Sequence, residues 1–200
     1  MRPKSRKTPS ATDNDPGIRV AVLGLGNPVL CDDSVGLRVA AEVERILRRH
    51  PIPGVTVMAS VRAGFELIDL VSGFTHAIII DSLESTRPTP GLIRRLDLNG
   101  FSGSSRLVGV HDICIADAFE LAATLGIRMP ASVEIYAVEG EDMKTLTEEM
   151  TPAVEASVIP LAREVHARAG ELVRAPCPHG DSPVKKDNVT PQTPFREHKE

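Results

Sequence analysis

Two adjacent aspartates, Asp32 and Asp33, follow the first apolar segment of the chain, in the stretch GLGNPVLCDDSVG at residues 24–36. Neighbouring carboxylates repel each other and are costly to bury. Asp81 follows another apolar segment, and His111 stands just before a helical pattern. Carboxylate oxygens combined with an imidazole nitrogen suit a divalent cation such as Ni²⁺, Zn²⁺, Mn²⁺ or Fe²⁺. These residue types therefore predict a cation site formed by one aspartate of the pair, Asp81 and His111.

Each of these residues also has a structural interpretation. Asp33 is suitably placed to cap the helix that follows, where a carboxylate also meets the positive end of the helix dipole. Asp81 is suited to a turn, and His111 to an ordinary hydrogen-bonded histidine. Because one aspartate of a pair can cap while the other points elsewhere, the structural and functional interpretations are compatible.

Strand-like and helix-like segments alternate along the chain, and this order predicts how the site is positioned. Strands are expected at 18–25, 54–60, 76–82, 91–98 and 132–140, and helices at 35–47, 64–73, 112–126 and from Thr151 onwards. The more strictly alternating segment 91–98 is expected at a sheet edge. We predict an α/β fold, a three-layer αβα sandwich around a mostly parallel sheet of about five strands. Ligands in such folds bind at the carboxyl ends of the strands, where the candidate residues stand.

The length of 200 residues and a hydrophobic fraction of 42% suit one domain of ordinary size. Residues 1–17 are polar and rich in proline, serine and threonine, and the C-terminal stretch carries five prolines between Pro176 and Pro194. Such composition is typical of disordered segments. We therefore predict a disordered tail at 1–17, one α/β domain at 18–172, and a second disordered tail at 173–200.

The composition also argues against several classes of partner. Aromatic residues make up only 3% of the chain and tryptophan is absent, which disfavours a base-stacking surface, and the net charge of −4 disfavours a polyanion binder. The three cysteines have no zinc-site or redox spacing, which favours a reducing compartment. No apolar run reaches the roughly 18–20 residues that span a bilayer. We expect a cytoplasmic monomer without a nucleic-acid or membrane partner.

The glycines after the first strand invite comparison with a dinucleotide-binding loop. That fingerprint requires G-x-G-x-x-G leading directly into a helix, whereas here Pro28 intervenes and Val29 occupies the position of the third glycine. No ribose-binding acid ends the second strand, so the loop does not predict NAD binding.

Four segments together resemble the hydrogenase maturation endopeptidases. They are VAVLGLGNPVLCDDSVGLRVAAEVE at 20–44, AIIIDSLES at 77–85, GVHDICIADAFELA at 109–122 and TEEMTPAVEASVIPLAREV at 147–165. The first segment is similar to the family's long N-terminal signature, and the others are shorter but occur in the family's order. One departure is Asp33, which stands where many members have glutamate.

The resemblance implies an endopeptidase that removes a C-terminal peptide from the nickel-loaded precursor of the large subunit of nickel–iron hydrogenase. It implies that nickel arrives with the substrate, although other divalent ions can occupy the site. Matched residue by residue, Asp33, Asp81 and His111 become both the nickel-contacting and the catalytic residues. For Gly24, Gly26, Asn27 and Asp32, we expect contact with the incoming peptide. The alternatives are that Asn27 and the amides around Gly24 and Gly26 hold the Asp32–Asp33 loop, or that the segment is a turn that needs small residues.

Two other functions remain open at this point. Peptidyl-tRNA hydrolases also have GLGNP after a strand, but they continue with a catalytic histidine nearby, which this chain lacks. A non-catalytic scaffold that recognises nickel in the precursor without cutting it would need the same three residues. Since no Ser-His-Asp set, Cys-His set or HExxH motif is evident, a metal is expected to take part in any hydrolysis.

Overall fold

A computed structural model describes residues 17–61, 65–97 and 115–175. The elements within these ranges comprise strands and helices in the predicted order. They are β1 Val20–Leu25, α1 Val35–Arg49, β2 Val55–Ser60, α2 Glu66–Val71, β3 His76–Leu83, β4 Ile93–Asp97, α3 Ile115–Thr124, β5 Ser132–Glu139 and α4 Pro152–Arg174. The two predicted tails lie outside the described residues, apart from Gly17 and 173–175, so their disorder stays a prediction.

The strands form one sheet in the order β2-β1-β3-β5-β4. Strands β1, β2, β3 and β5 run parallel, and β4 pairs antiparallel with β5 at one edge. The prediction of a mostly parallel sheet with 91–98 at its edge is therefore confirmed. The central strand β3 is apolar and buried from Ala77 to Ile80, as expected where helices cover both faces of a sheet.

The two faces of the sheet bury separate apolar clusters. Helices α1 and α4 cover one face, where Val39 and Leu161 share a cluster with Ile78. On the other face Ile79 packs with Leu67 of α2 and with other residues from the α2 and α3 side of the sheet. Successive residues of β3 thus serve opposite faces, as the pleat of a strand requires. This arrangement confirms the three-layer αβα sandwich.

One local expectation needs correction, and one local feature was not predicted. Strand β3 continues beyond Asp81 to Leu83, and Asp81 pairs with Ala137 of β5, so Asp81 is a strand residue and not a turn residue. Between β1 and α1 the chain forms a short 3₁₀ helix at Asp32–Ser34, which places both adjacent aspartates in a tight turn. In the described ranges, we find no helix with the length and apolarity needed to cross a membrane.

Candidate functional site

Asp33 is held at both of its carboxylate oxygens. Its Oδ2 accepts the backbone N–H of Asn27 at 3.0 Å, and its Oδ1 accepts the hydroxyl of Ser82 at 2.6 Å. The side chain is only 2% exposed. Neither the 3₁₀ turn nor helix α1 is capped by a side chain. The capping interpretation of Asp33 is therefore wrong, because its oxygens accept hydrogen bonds from the preceding loop and from β3 and not from the first N–H groups of α1.

Asp81 and Asp33 share a hydrogen-bonding neighbour, Ser82. Its Oδ1 accepts the backbone N–H of Ser82 at 2.8 Å, and the Ser82 hydroxyl donates to Asp33. Burial raises the pKa of Asp81 to about 7, the N–H of Ser82 offsets part of that rise, and the negative charge of Asp33 adds to it. The structure therefore brings Asp33 and Asp81 close enough for their charges to interact.

His111 lies outside the described residues, so its predicted place beside the two acids stays a prediction. In the ranges 17–61, 65–97 and 115–175, no three histidine, cysteine or acidic side chains gather in a way that could hold a metal ion. What the described residues provide is a pair of carboxylates, Asp33 from the 3₁₀ turn before α1 and Asp81 from β3. A cation between two carboxylates relieves their repulsion and favours their ionised forms, so the donor set fits a divalent ion.

Asp32 points away from this pair and is fully buried, with 0% exposure. Its carboxylate accepts the backbone N–H groups of Glu141, Asp142 and Thr151 at 2.7–2.9 Å, and the Thr151 hydroxyl at 3.0 Å. These donors bracket the segment 141–151 between β5 and α4. Asp32 therefore ties that segment to the turn that carries Asp33, and the arrangement favours a structural role over the expected contact with substrate.

The small residues of the same loop also have structural roles. A Cβ atom on Gly24 would overlap the carbonyl oxygen of Gly36, so strand β1 and helix α1 approach too closely for a side chain. Gly26 has a φ of +144°, in the region that favours glycine, and a Cβ there would overlap the carbonyl oxygen of Asp33. Asn27 supports the turn through its N–H to Asp33 and its Oδ1, which accepts the N–H of Val29. These contacts favour the turn interpretation for all three.

Comparison with known proteins gives a consistent result. No protein-family model matches the chain. The Hydrogenase 2 maturation protease of Escherichia coli strain K12 is 28% identical over 156 residues, which cover 77% of this chain and 92% of that protein. The chain is therefore similar to a hydrogenase maturation protease over most of its length. The hydrogenase expression/formation protein HupD of Bradyrhizobium diazoefficiens is 27% identical over 171 residues, covering 82% of this chain and 84% of HupD.

The solved structures agree with the sequence relatives. The hydrogenase maturating endopeptidase HybD from Escherichia coli superposes with a TM-score of 0.65 at 27% identity, covering 77% of this chain and 93% of HybD. The predicted resemblance to the hydrogenase maturation proteases is thus confirmed over 77% of the chain, and so is the fold class.

Sequence reasoning missed two features of the site. It did not single out Ser82, although this residue directly follows Asp81 and bonds to both candidate acids. It also began the last helix at Thr151 without foreseeing a second contact: Thr151 occupies the cap position, but its hydroxyl makes no capping bond and donates to Asp32 instead. A polar residue next to a candidate ligand was the available signal for Ser82, whereas no local signal pointed to the bond between Thr151 and Asp32.

The raised pKa of Asp81 predicts a pH-dependent stability in protein kept free of metal with a chelator. The folded state holds this proton up to about pH 7, whereas an unfolded chain releases it near its ordinary pKa of 3.8. Because the folded state then binds more protons, the contribution of Asp81 to stability falls as pH rises from about 4 to about 7 and is level above that.

Replacing Asp81 with asparagine removes the titration but keeps an oxygen for the N–H of Ser82. Urea unfolding at a series of pH values should therefore show Asp81→Asn gaining stability relative to the natural chain across this window. A constant difference between the two proteins from pH 4 to 7 would contradict the assignment.

Proposed function

We propose that this chain is an endopeptidase that removes a C-terminal peptide from the nickel-loaded precursor of the large subunit of nickel–iron hydrogenase. The observation that carries the proposal is the pair of acids, Asp33 from the β1–α1 turn and Asp81 from β3, linked by Ser82. The similar proteins described above support the same activity, since one is a hydrogenase maturation protease and another a hydrogenase maturating endopeptidase.

In this proposal the nickel ion is part of the substrate. Asp33, Asp81 and His111 coordinate an ion that is already bound to the precursor. This contact places the scissile peptide bond at the carboxyl ends of the strands. Because the carboxylates contribute negative charge and hydrogen-bonding oxygens but no permanent metal centre, they distinguish loaded from unloaded precursor. The bound ion would supply charge stabilisation at the scissile carbonyl or at the attacking water.

The environment of Asp81 also suits proton transfer. A general acid or base works best when its pKa lies near the operating pH, and burial raises the pKa of Asp81 to about 7. Among the described residues, Asp33 accepts two hydrogen bonds, whereas Asp81 accepts one, from its neighbour Ser82. We infer that Asp33 is the more rigid ligand and that Asp81 is the acid that exchanges a proton for the incoming cation.

The decisive experiment compares nickel-loaded with nickel-free precursor after incubation with the purified protein. Measured by intact-protein mass spectrometry, the loaded precursor should lose the mass of its C-terminal peptide, and the nickel-free precursor should keep its full mass. Binding without any loss of mass would support the non-catalytic scaffold instead. Hydrolysis of peptidyl-tRNA, assayed in parallel, would contradict both functions.

A further inference from the structure

We propose that Ser82 is a positioning residue that fixes Asp33 and Asp81 relative to each other; the activity part of this inference rests on the function proposed above. Ser82 uses its hydroxyl for Asp33 and its backbone N–H for Asp81, at 2.6 and 2.8 Å. No other residue in the described ranges is found bonding to both acids. A single residue thus sets the separation of two carboxylates that come from different segments of the chain.

The geometry of β3 makes this link possible. Adjacent residues of a strand point to opposite faces, so Asp81 and Ser82 project to opposite sides of the sheet. The Asp81 carboxylate bends back to the N–H of Ser82, while the Ser82 side chain reaches toward the 3₁₀ turn that carries Asp33. Because Ser82 lies in register with Val138 inside the paired part of β3, its backbone cannot shift freely. The link therefore transfers the rigidity of the sheet to Asp33.

A hydroxyl is the right group for this task. Ser82 is 5% exposed, so water has little access to its hydroxyl. The hydroxyl satisfies one oxygen of Asp33 without adding a positive charge that would compete with a cation. Each carboxylate oxygen has two lone pairs, so Asp33 keeps acceptor capacity after its two hydrogen bonds are made. Of its two partners among the described residues, removing the hydroxyl leaves Asp33 only the Asn27 contact, so one of its oxygens is no longer held in place.

The test replaces Ser82 with alanine and with threonine. Ser82→Ala should lower kcat for cleavage of nickel-loaded precursor by about 10–100-fold, the usual effect of losing a partner that orients a ligand, with a smaller change in KM. Ser82→Thr keeps the hydroxyl and should restore most of the rate. Ser157→Ala is the matched control, because Ser157 is also buried and donates at 2.6 Å, but to Val154 within α4.

Crystal structures of the variants provide a readout that does not depend on activity. In Ser82→Ala the Asp33 carboxylate should turn away from its present position, and in Ser82→Thr it should stay. If natural protein cleaves no precursor, the proposed function fails, and the position of Asp33 in these variants still decides the role of Ser82. Should Ser82→Ala not fold, Ser82→Cys provides a weaker donor of similar size. Its cleavage rate should be lower than that of Ser82→Thr, and its Asp33 carboxylate should be less well ordered in the crystal.

Two results would overturn the inference. One is an Asp33 carboxylate that keeps its place in Ser82→Ala together with an unchanged cleavage rate. The other is a loss of rate that Ser82→Thr fails to restore and that the Ser157→Ala control reproduces, since the hydroxyl would then serve stability alone.

Discussion

Alanine at Asp33 is expected to lower the cleavage of nickel-loaded precursor by about 1,000-fold, which corresponds to about 4 kcal/mol of transition-state stabilisation. The substitution removes a carboxylate whose two oxygens both accept hydrogen bonds, and with it one of the three proposed ligands of the substrate's nickel. Single-turnover cleavage followed by intact mass measures the effect directly, since it reports the peptide bond and not only binding of the precursor.

The effect should be specific to the candidate residues. Asp81→Ala and His111→Ala should cause losses of similar size, because each removes one of the three groups proposed to hold the ion. Asp69→Ala is a suitable control, since Asp69 is an exposed aspartate on α2, and it should cleave at the natural rate. Full activity in Asp33→Ala, in a protein that unfolds at a similar urea concentration to the natural chain, would contradict the assignment of Asp33 to the site.

The second large effect concerns stability. Asp32→Ala is expected to lower the free energy of unfolding by about 3–5 kcal/mol, because a fully buried carboxylate that accepts four hydrogen bonds from N–H and O–H donors, and a weaker one from the Cys31 thiol, is lost. The orphaned donors include three backbone N–H groups that anchor the segment 141–151. Each buried donor left without an acceptor costs about 1–3 kcal/mol unless water reaches it. Equilibrium unfolding in urea measures the change.

A neighbouring aspartate provides the matched control for this effect. Asp142 also accepts two backbone N–H groups, those of Lys144 and Thr145, but it is less buried than Asp32. Asp142→Ala should therefore cost only about 1 kcal/mol. A stability loss in Asp32→Ala that is no larger than in Asp142→Ala would contradict the anchoring role of Asp32.

Much of the fold follows from local patterns along the chain. The β-branched run of β3 and the helical spacing of Val35, Val39 and Val43 predict elements that the structure contains. Burial on both faces of the sheet explains why the sequence of β3 is a continuous apolar run. The edge position of β4 was predictable as well, because polar and apolar residues alternate more in this segment than in the other strands; the side chains of Arg94 and Arg95 are about half exposed.

The details of the site depend on contacts that no local pattern encodes. Asp32 and Thr151 are separated by 119 positions, and Asp33 and Ser82 by 49. From the sequence, Asp33 was equally suited to cap a helix, and the choice between capping and pairing with β3 is made only when the sheet brings Ser82 beside it. The sequence therefore predicts which rim of the sheet carries the acids, whereas their partners emerge from the tertiary fold.

The most direct test of the central claim is a crystal structure of the protein soaked with Ni²⁺, with data collected at the nickel absorption edge. One anomalous peak should lie within about 2 Å of an oxygen of Asp33, an oxygen of Asp81 and a ring nitrogen of His111. A peak elsewhere, or a His111 side chain that is remote from the two aspartates, would contradict the account.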